Sequence, residues 1–190
     1  MFAIAAVSRN WGIGKDNHLL FHISADMKRF RELTEGKTVL MGRKTLQSLP
    51  GSKGLPRRRN IVLTANPDFT APDVETTHTP VQAVFTVGEE AAVIGGESVY
   101  RLFLSLCERV YITKVFAEAV ADAFFPDLDA DPHWQVDCES EIFEENGLRY
   151  QFVDYVPVEE TDDLADLLPD RGEPMPFAPV EDFTDLTGFM

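Results

Sequence analysis

The chain has 190 residues, 44% of them hydrophobic, two cysteines and a formal net charge of −15. This length favours one domain whose core needs no metal or disulfide, and the negative charge argues against nucleic acid or an anionic membrane as partner. Two cysteines without CxxC spacing indicate reduced thiols, and four scattered histidines predict no metal site. Because the first eight residues lack a basic leader and no run is long enough to span a membrane, we expect a cytoplasmic protein.

Short apolar runs, typical of buried strands, recur along the chain. The predicted strands are 2–7, 38–41, 61–63, 91–94 and 110–115. After the first of them, Ser24 is a suitable N-cap for a helix that ends at Gly36. The apolar stripe of this helix consists of Met27, Phe30 and Leu33, at helical spacing.

A second helical pattern follows Gly95-Gly96, with apolar residues at positions i, i+3, i+4 and i+7. These residues are Val99, Leu102, Phe103 and Leu106. Proline and glycine predict loops at 49–56 and 66–68, and Asn146-Gly147 between two apolar runs predicts a β-hairpin. We therefore predict an α/β fold over residues 1–157: a single domain with a mostly parallel twisted sheet, an antiparallel C-terminal hairpin and helices on both faces.

Residues 158–190 differ in composition, since they contain ten acidic residues, four prolines and one base, Arg171. Thr161 is a possible cap for a short helix there. Large apolar side chains then recur at every third position, at Phe177, Val180, Phe183, Leu186 and Phe189. We hypothesise that 177–189 packs on the protein's own surface or on a second copy.

Asp26 is the strongest candidate for chemistry. It lies in the first turn of the predicted helix, and taken alone it is best interpreted as a carboxylate that stabilises the helix dipole. A buried carboxylate is costly unless a ligand meets it. It can hold the N–C–NH₂ edge of a pteridine through two parallel hydrogen bonds, as it holds a guanidinium.

Three further segments have both a functional and a structural interpretation. Arg57-Arg58-Arg59 is a solvated basic turn or, through one inward arginine, a clamp for a carboxylate. Arg43-Lys44-Thr45 follows a strand and opens a short helix, which favours a phosphate site or a plain surface corner about equally. Gly95-Gly96, like Gly12 and Gly14, allows close backbone approach to a ligand or serves an ordinary turn.

In this order the segments resemble the dihydrofolate reductase family over residues 1 to about 157. The matching residues are Ile4-Ala5-Ala6, Gly12-Ile13-Gly14, Asn17, Ala25-Asp26, Phe30, Met41-Gly42-Arg43-Lys44-Thr45, Ser48, Leu55-Pro56, Arg58, Asn60-Ile61-Val62-Leu63-Thr64, Ile94-Gly95-Gly96, Tyr100, Thr113 and Phe125-Pro126. The resemblance implies NADPH-dependent reduction of 7,8-dihydrofolate to tetrahydrofolate for one-carbon metabolism. It implies hydride transfer to pterin C6, with Asp26 and a water assisting protonation at N5. We expect antifolates as inhibitors and a monomer, with contact through the tail as an alternative.

The resemblance also implies three groups of site residues. The catalytic residues are Asp26, Phe21 and Thr113. The substrate residues are Ile4, Ala5, Asp26, Met27, Phe30, Leu49, Leu55, Ile94, Tyr100, Thr113 and, for the glutamate α-carboxylate, Arg58. The cofactor residues are Ala6, Ile13, Gly14, Asn17, Leu19, Gly42, Arg43, Lys44, Thr45, Leu63, Thr64, Ile94, Gly95, Gly96, Glu97, Ser98, Val99 and Tyr100. In the family Gly95-Gly96 is a cis peptide, and 9–23 matches a mobile loop that closes over the nicotinamide.

Two departures from the family pattern bear on function. Leu20-Phe21 stands where the family often has Pro-Trp, so Phe21 keeps an aromatic wall without the indole donor. Glu97 and Ser98 supply no base near the cofactor, which weakens the expected preference for NADPH over NADH.

Two other interpretations stand beside this one. The first is the pyrimidine reductase of riboflavin synthesis, against which the placement of Asp26 and Arg58 argues. The second is a binding protein with a degenerate site that docks a partner through its acidic tail. The intact set from Asp26 to Thr113 argues against the second.

Overall fold

The computed structural model describes residues 1–158. The strands are β1 (Phe2–Val7), β2 (Gly12–Lys15), β3 (His18–Leu19), β4 (Thr38–Gly42), β5 (Arg59–Leu63), β6 (Glu75–Thr77), β7 (Ala92–Gly95), β8 (Arg109–Val115), β9 (Ala123–Phe124), β10 (Trp134–Glu139), β11 (Phe143–Glu145) and β12 (Leu148–Pro157). The helices are α1 (Ser24–Thr34), α2 (Arg43–Ser48), α3 (Pro80–Val87) and α4 (Glu97–Phe103), with 3₁₀ turns at Pro50–Ser52 and Leu104–Leu106. The predictions made for Thr161 and for 177–189 lie outside the described residues.

The main sheet has the strand order β10-β12-β8-β1-β7-β4-β5-β6, with β11 also paired to β12. The strands from β8 to β6 in this order run parallel, whereas β12 runs antiparallel to β8, β10 and β11. Asn146 and Gly147 both have positive φ, of 52° and 76°, as a two-residue hairpin turn requires. The predicted mostly parallel sheet with an antiparallel C-terminal hairpin is confirmed.

Helices cover both faces of this sheet, as predicted. On β4, Leu40 packs in the large core cluster that includes side chains of α3 and α4, whereas Val39 and Met41 pack with Leu46 of α2. Successive side chains of a strand point to opposite faces, so α2 lies opposite α3 and α4. On β8, Ile112 belongs to the large cluster and its neighbour Thr113 contacts α1, which places α1 on the face of α2.

Two helix predictions are corrected by the structure. α1 begins at Ser24 itself, so Ile23 holds the cap position and no side chain of the helix start provides the cap. In α4, Val99 and Phe103 are buried as predicted. The third residue on the buried face is Tyr100 and not Leu102, which is 50% exposed. Leu106 is 48% exposed because the α-helix has ended and a 3₁₀ turn changes the residue spacing.

One helix was missed altogether. α3 starts at Pro80, its N-cap Thr79 accepts a hydrogen bond from the backbone N–H of Gln82, and Gly88 follows its end with a φ of 79°. These are ordinary helix start and stop signals, and they lie in a segment to which no element was assigned. Among the described residues, no helix has the length and apolar character needed to cross a membrane.

Candidate active site

A buried acid lies between α1 and β8. The hydroxyl of Thr113, which is 2% exposed, donates a hydrogen bond of 2.6 Å to Oδ1 of Asp26. Burial raises the pKa of the Asp26 carboxyl above its ordinary value, and the Thr113 hydrogen bond and the positive charge of Arg29 oppose that rise. A buried acid with raised proton affinity is a candidate for proton chemistry.

The C-terminal hairpin holds the start of the helix that carries this acid. Oε1 of Glu145 accepts the backbone N–H of Ser24 at 2.8 Å, and Oε2 accepts that of Ala25 at 3.4 Å. These hydrogen bonds lower the pKa of Glu145. A carboxylate from a distant hairpin therefore provides the cap that the sequence predicted for the Ser24 side chain.

Most residues of the predicted apolar wall are partly exposed. Ala6 of β1 is in register with Thr113, and Ile94 of β7 packs on the face of α2. From α1, Met27 is 40% exposed and Phe30 is half-buried. The remaining predicted wall residues are the partly buried Leu49, Leu55 and Phe21 and the buried Ile4. Apolar side chains left partly open around a few polar groups are typical of a ligand site.

Two predicted substrate residues contribute differently from the rest. The side chain of Ala5 belongs to the core cluster on the opposite face, so only its backbone faces the site. Tyr100 is buried, and its hydroxyl donates to the backbone oxygen of Ile4 at 2.7 Å. The phenol is thus bonded to the middle of β1 rather than standing free for a ligand.

The structure separates the three consecutive arginines. Arg57 pairs with Glu35, and Arg59 forms two hydrogen bonds to Glu75, at 2.8 and 2.7 Å. Arg58 has no carboxylate partner within residues 1–158. Its Nε donates to the Thr34 hydroxyl at 2.8 Å and its Nη1 donates to the Pro56 backbone oxygen at 2.7 Å. Of the three, Arg58 is therefore the fixed and uncompensated cation, which suits a carboxylate ligand.

Cationic and hydroxyl groups collect where the parallel strands end. Arg43 and Lys44 follow β4, and neither has a carboxylate partner in the described part of the chain; Arg43 Nη1 contacts only Gln47, at 3.3 Å. Thr64 follows β5. His78, which was not predicted, follows β6 with its Nδ1 at 3.0 Å from the Thr64 backbone oxygen. Its position after a parallel strand was the available signal.

Glycines keep this edge free of side chains. The Gly95-Gly96 peptide is cis, as the resemblance implied, and β7 lies beside β4. A Cβ on Gly42 would lie 3.2 Å from Val99, and a Cβ on Gly96 would lie 3.2 Å from the Thr45 hydroxyl. Neither α2 nor α4 has a side-chain cap at its N-terminus. Free backbone N–H groups beside unpaired cations form a set of donors that fits a phosphorylated cofactor.

Residues 9–23, predicted as a loop over the nicotinamide, form part of a small second sheet. β2 pairs with β3 and with β9, and Asp122 accepts the Asp16 N–H at 2.9 Å while its own N–H donates to Gly14 at 3.0 Å. Leu19 is 64% exposed at the tip. Glu97, a predicted cofactor residue, already accepts the Phe124 N–H at 2.9 Å and pairs with Arg101.

The family model for dihydrofolate reductase matches residues 1–157. The chain belongs to the dihydrofolate reductase family. It is 37% identical to the dihydrofolate reductase of Staphylococcus haemolyticus, over 78% of this chain and 90% of that protein. It is 38% identical to that of Neisseria meningitidis serogroup B, over 80% of this chain and 95% of that protein. The structure of the Enterococcus faecalis enzyme, complexed with NADP(H) and RAB-propyl, superposes with a TM-score of 0.74 at 30% identity, covering 82% of this chain and 95% of that one.

Membership of the dihydrofolate reductase family settles the activity. The chain is an NADP-dependent oxidoreductase that reduces dihydrofolate with NADPH, as the sequence predicted. It binds a small-molecule substrate and belongs to a family that inhibitors target. The pyrimidine reductase and binding-protein interpretations are thereby set aside. The roles of individual residues, the oligomeric state and the cytoplasmic location stay predictions.

Proposed function

We propose that Asp26 binds the pterin edge of dihydrofolate and supports protonation at N5. The observation that carries this proposal is the 2.6 Å hydrogen bond from the buried Thr113 hydroxyl, which fixes one carboxylate oxygen among apolar side chains. An ionised carboxylate oriented in this way can accept two parallel N–H bonds from an N–C–NH₂ edge. Burial makes the lone carboxylate costly, and a ligand with two donors would offset that cost.

The reduction adds a hydride at C6 and a proton at N5 of the pterin. Bound NADPH supplies the hydride. We propose that the ionised Asp26 stays bound to the pterin edge and that its negative charge favours protonation at N5, with a water that delivers the proton from solvent. Phe21, half-buried against the cluster of Ile23 and Tyr150, would wall this region and restrict the entry of further water.

The cofactor residues divide by chemistry. Arg43, Lys44, Thr45 and Thr64 would hold the phosphates, since the cations are unpaired in the described residues and the hydroxyls lie at the same strand ends. Gly42, Gly95 and Gly96 would allow close approach of the cofactor to the backbone. His78, beside Thr64, would add a further donor to the phosphate site.

We propose that Arg58 binds the glutamate α-carboxylate of dihydrofolate. It stands over the ring of Phe30, with its guanidinium carbon 5.8 Å from the ring centroid, and Phe30 is a predicted wall for the benzoyl group. The contact to Thr34 fixes the guanidinium, and within residues 1–158 Nη2 has no hydrogen-bond acceptor. Because Asp26, Thr113, Arg58 and Arg43 all come from one chain, we further propose that the monomer is active, which an elution volume would test.

The test is the decay of NADPH absorbance on addition of dihydrofolate, with wild type, Asp26→Asn and Asp68→Asn in parallel. Asp68 is an exposed turn residue and serves as the matched control. We expect a loss of about 100-fold or more in kcat/KM for Asp26→Asn, with unchanged NADPH binding by fluorescence. Equal turnover in the two variants would remove Asp26 from the mechanism and leave the activity in place.

A further inference from the structure

Arg29 lies one helical turn after Asp26 and is held between α1 and the antiparallel edge of the sheet. Its guanidinium carbon is 4.6 Å from the centroid of the Phe152 ring and 5.3 Å from that of Tyr111. It also forms an ion pair with Asp154, and the two side chains are only 20% and 19% exposed. A cation within 6 Å of two ring faces and bonded to a carboxylate is fixed in place.

The partners of Arg29 stand next to those of Asp26. In the β8–β12 register, Phe152 is paired with Thr113 and Asp154 is paired with Tyr111. Residues three apart on a helix share a face, so Asp26 and Arg29 both point toward this pair of strands. The cation and the catalytic acid therefore occupy the same helix–sheet interface.

The positive charge of Arg29 is only partly compensated. Asp154 is shared, since its second oxygen lies 3.8 Å from Arg109, which in turn pairs with Asp137 at 2.6 Å. Within the described residues, Nη1 of Arg29 is buried and has no hydrogen-bond partner. In a partly buried interface the charge of the guanidinium is screened less than in water, so it acts on neighbouring charged groups.

We propose that Arg29 is a positioning residue for the reductase reaction, whose clamped positive charge keeps Asp26 in the ionised form that receives the pterin. This inference rests on the proposed role of Asp26. Asp154 and Phe152 fix the position of the charge, so the residue acts through Asp26 and does not itself touch the substrate.

The other groups around Asp26 do not supply this charge. Thr113 on β8 donates a neutral hydrogen bond. Tyr100 from α4 and Tyr150 from β12 stay neutral phenols, because burial and the Asp26 charge both raise their pKa values. Glu145 of β11, which accepts the backbone N–H of Ser24 at the start of α1, is an anion. Burial raises the pKa of Asp26, and Arg29 is the cation that opposes this rise.

The experiment is an NMR titration of the full chain with ¹³C-labelled aspartate, with the Asp26 signal assigned from Asp26→Asn. Arg29→Met removes the cation, and we expect the pKa of Asp26 to rise by about half a pH unit or more. Asp154→Asn breaks the same ion pair but leaves the cation, so the pKa of Asp26 should not rise. An unchanged pKa in Arg29→Met, or an equal rise in both variants, would overturn the proposal.

Two further variants keep the proposal testable if Arg29→Met does not fold. Arg29→Lys keeps the charge and should keep the pKa of Asp26 close to the wild-type value. The double variant Arg29→Met/Asp154→Leu replaces the ion pair with apolar groups, which proteins often tolerate well. It should raise the pKa of Asp26 by less than Arg29→Met alone does, because Asp154 no longer adds its negative charge. A double variant with the wild-type pKa would contradict the proposal.

Activity separates this proposal from the one on which it rests. If ionised Asp26 receives the pterin, the acid limb of the pH profile of kcat/KM should move to higher pH in Arg29→Met, by the amount that NMR reports. A shifted NMR titration with an unmoved acid limb would refute the role given to Asp26 while supporting the effect of Arg29.

Discussion

Glu145 of the C-terminal hairpin caps the helix that carries Asp26 by accepting the backbone N–H of Ser24, at 2.8 Å across 121 positions of sequence. Glu145→Ala should therefore lower the urea midpoint of unfolding, whereas Glu144→Ala, an exposed neighbour in the same strand, should change it little. The hydrogen bonds lower the folded-state pKa of Glu145 below its ordinary 4.5. This stabilisation is present above that value and is lost as the pH falls through the folded-state pKa, so the two variants should converge in acid.

Thr113→Val removes the hydroxyl that orients Asp26 and keeps the side-chain shape. We expect KM for dihydrofolate to rise about tenfold, since a hydrogen bond to a charged group is lost. The pKa of Asp26 should rise further, because the Thr113 bond lowers it in the wild type. The control is Thr77→Val, another buried strand threonine, whose hydroxyl has no partner within residues 1–158. Kinetics that change equally in both variants would assign the effect to packing.

Arg58→Lys should raise KM for dihydrofolate about tenfold, because lysine cannot form the two-pronged contact with a carboxylate. Arg57→Lys, at a side chain paired with Glu35, should leave KM unchanged. A dihydropterin without the glutamate should be reduced equally by wild type and by Arg58→Lys. A loss of rate with that truncated substrate would mean that Arg58 supports the fold and not the carboxylate.

Arg43→Gln and Lys44→Gln should each raise KM for NADPH several-fold and leave KM for NADH almost unchanged, if both cations contact the phosphate that NADPH carries and NADH lacks. Both cations are exposed, so the difference from wild type should shrink as the salt concentration rises. Lys37→Gln is the matched control, because Lys37 precedes the same strand at its opposite end and pairs with Glu90 at 3.3 Å. A variant that raises KM for NADH and for NADPH equally would show that the wild-type side chain does not contact the phosphate that NADPH has and NADH lacks.

Asp26→Asn should make the protein more resistant to urea at pH 7 while it loses activity. Burial raises the folded-state pKa of Asp26, so the wild type loses stability as the pH rises from the unfolded value of 3.8 through the folded one. The amide carries no charge to desolvate. The advantage of Asp26→Asn should therefore vanish at low pH, and Asp68→Asn should show neither effect. A variant less stable than wild type at pH 7 would contradict the burial argument.

Local signals predicted most of the sheet. Asn146-Gly147 specified its turn because both residues adopt positive φ there, and the short β-branched and aliphatic runs became the central strands. The helix after Gly96 was located correctly, but its buried face was not. Spacing alone could not show that Tyr100 would turn inward to reach the Ile4 backbone.

Candidate site residues could be proposed from the sequence where a family motif or a strand end marked them, as at Asp26 and Arg43. Long-range partners were not predictable. Three adjacent arginines are equivalent in sequence. Only the folded chain shows that two of them form ion pairs, Arg57 with Glu35 and Arg59 with Glu75. Nothing in the sequence singled out Arg29 either, because its acceptor Asp154 lies 125 positions away.

The dependence of α1 on Glu145 has a consequence for synthesis of the protein. A ribosome completes the helix with Asp26 long before it reaches Thr113, and Glu145 follows later still. Until then, Asp26 lacks the hydrogen bond from the Thr113 hydroxyl, and its helix lacks the cap that Glu145 provides. The growing chain therefore contains Arg43, Lys44 and Thr64 before Asp26 can gain either contact, and a chain released before the hairpin would carry Asp26 on a helix without its cap.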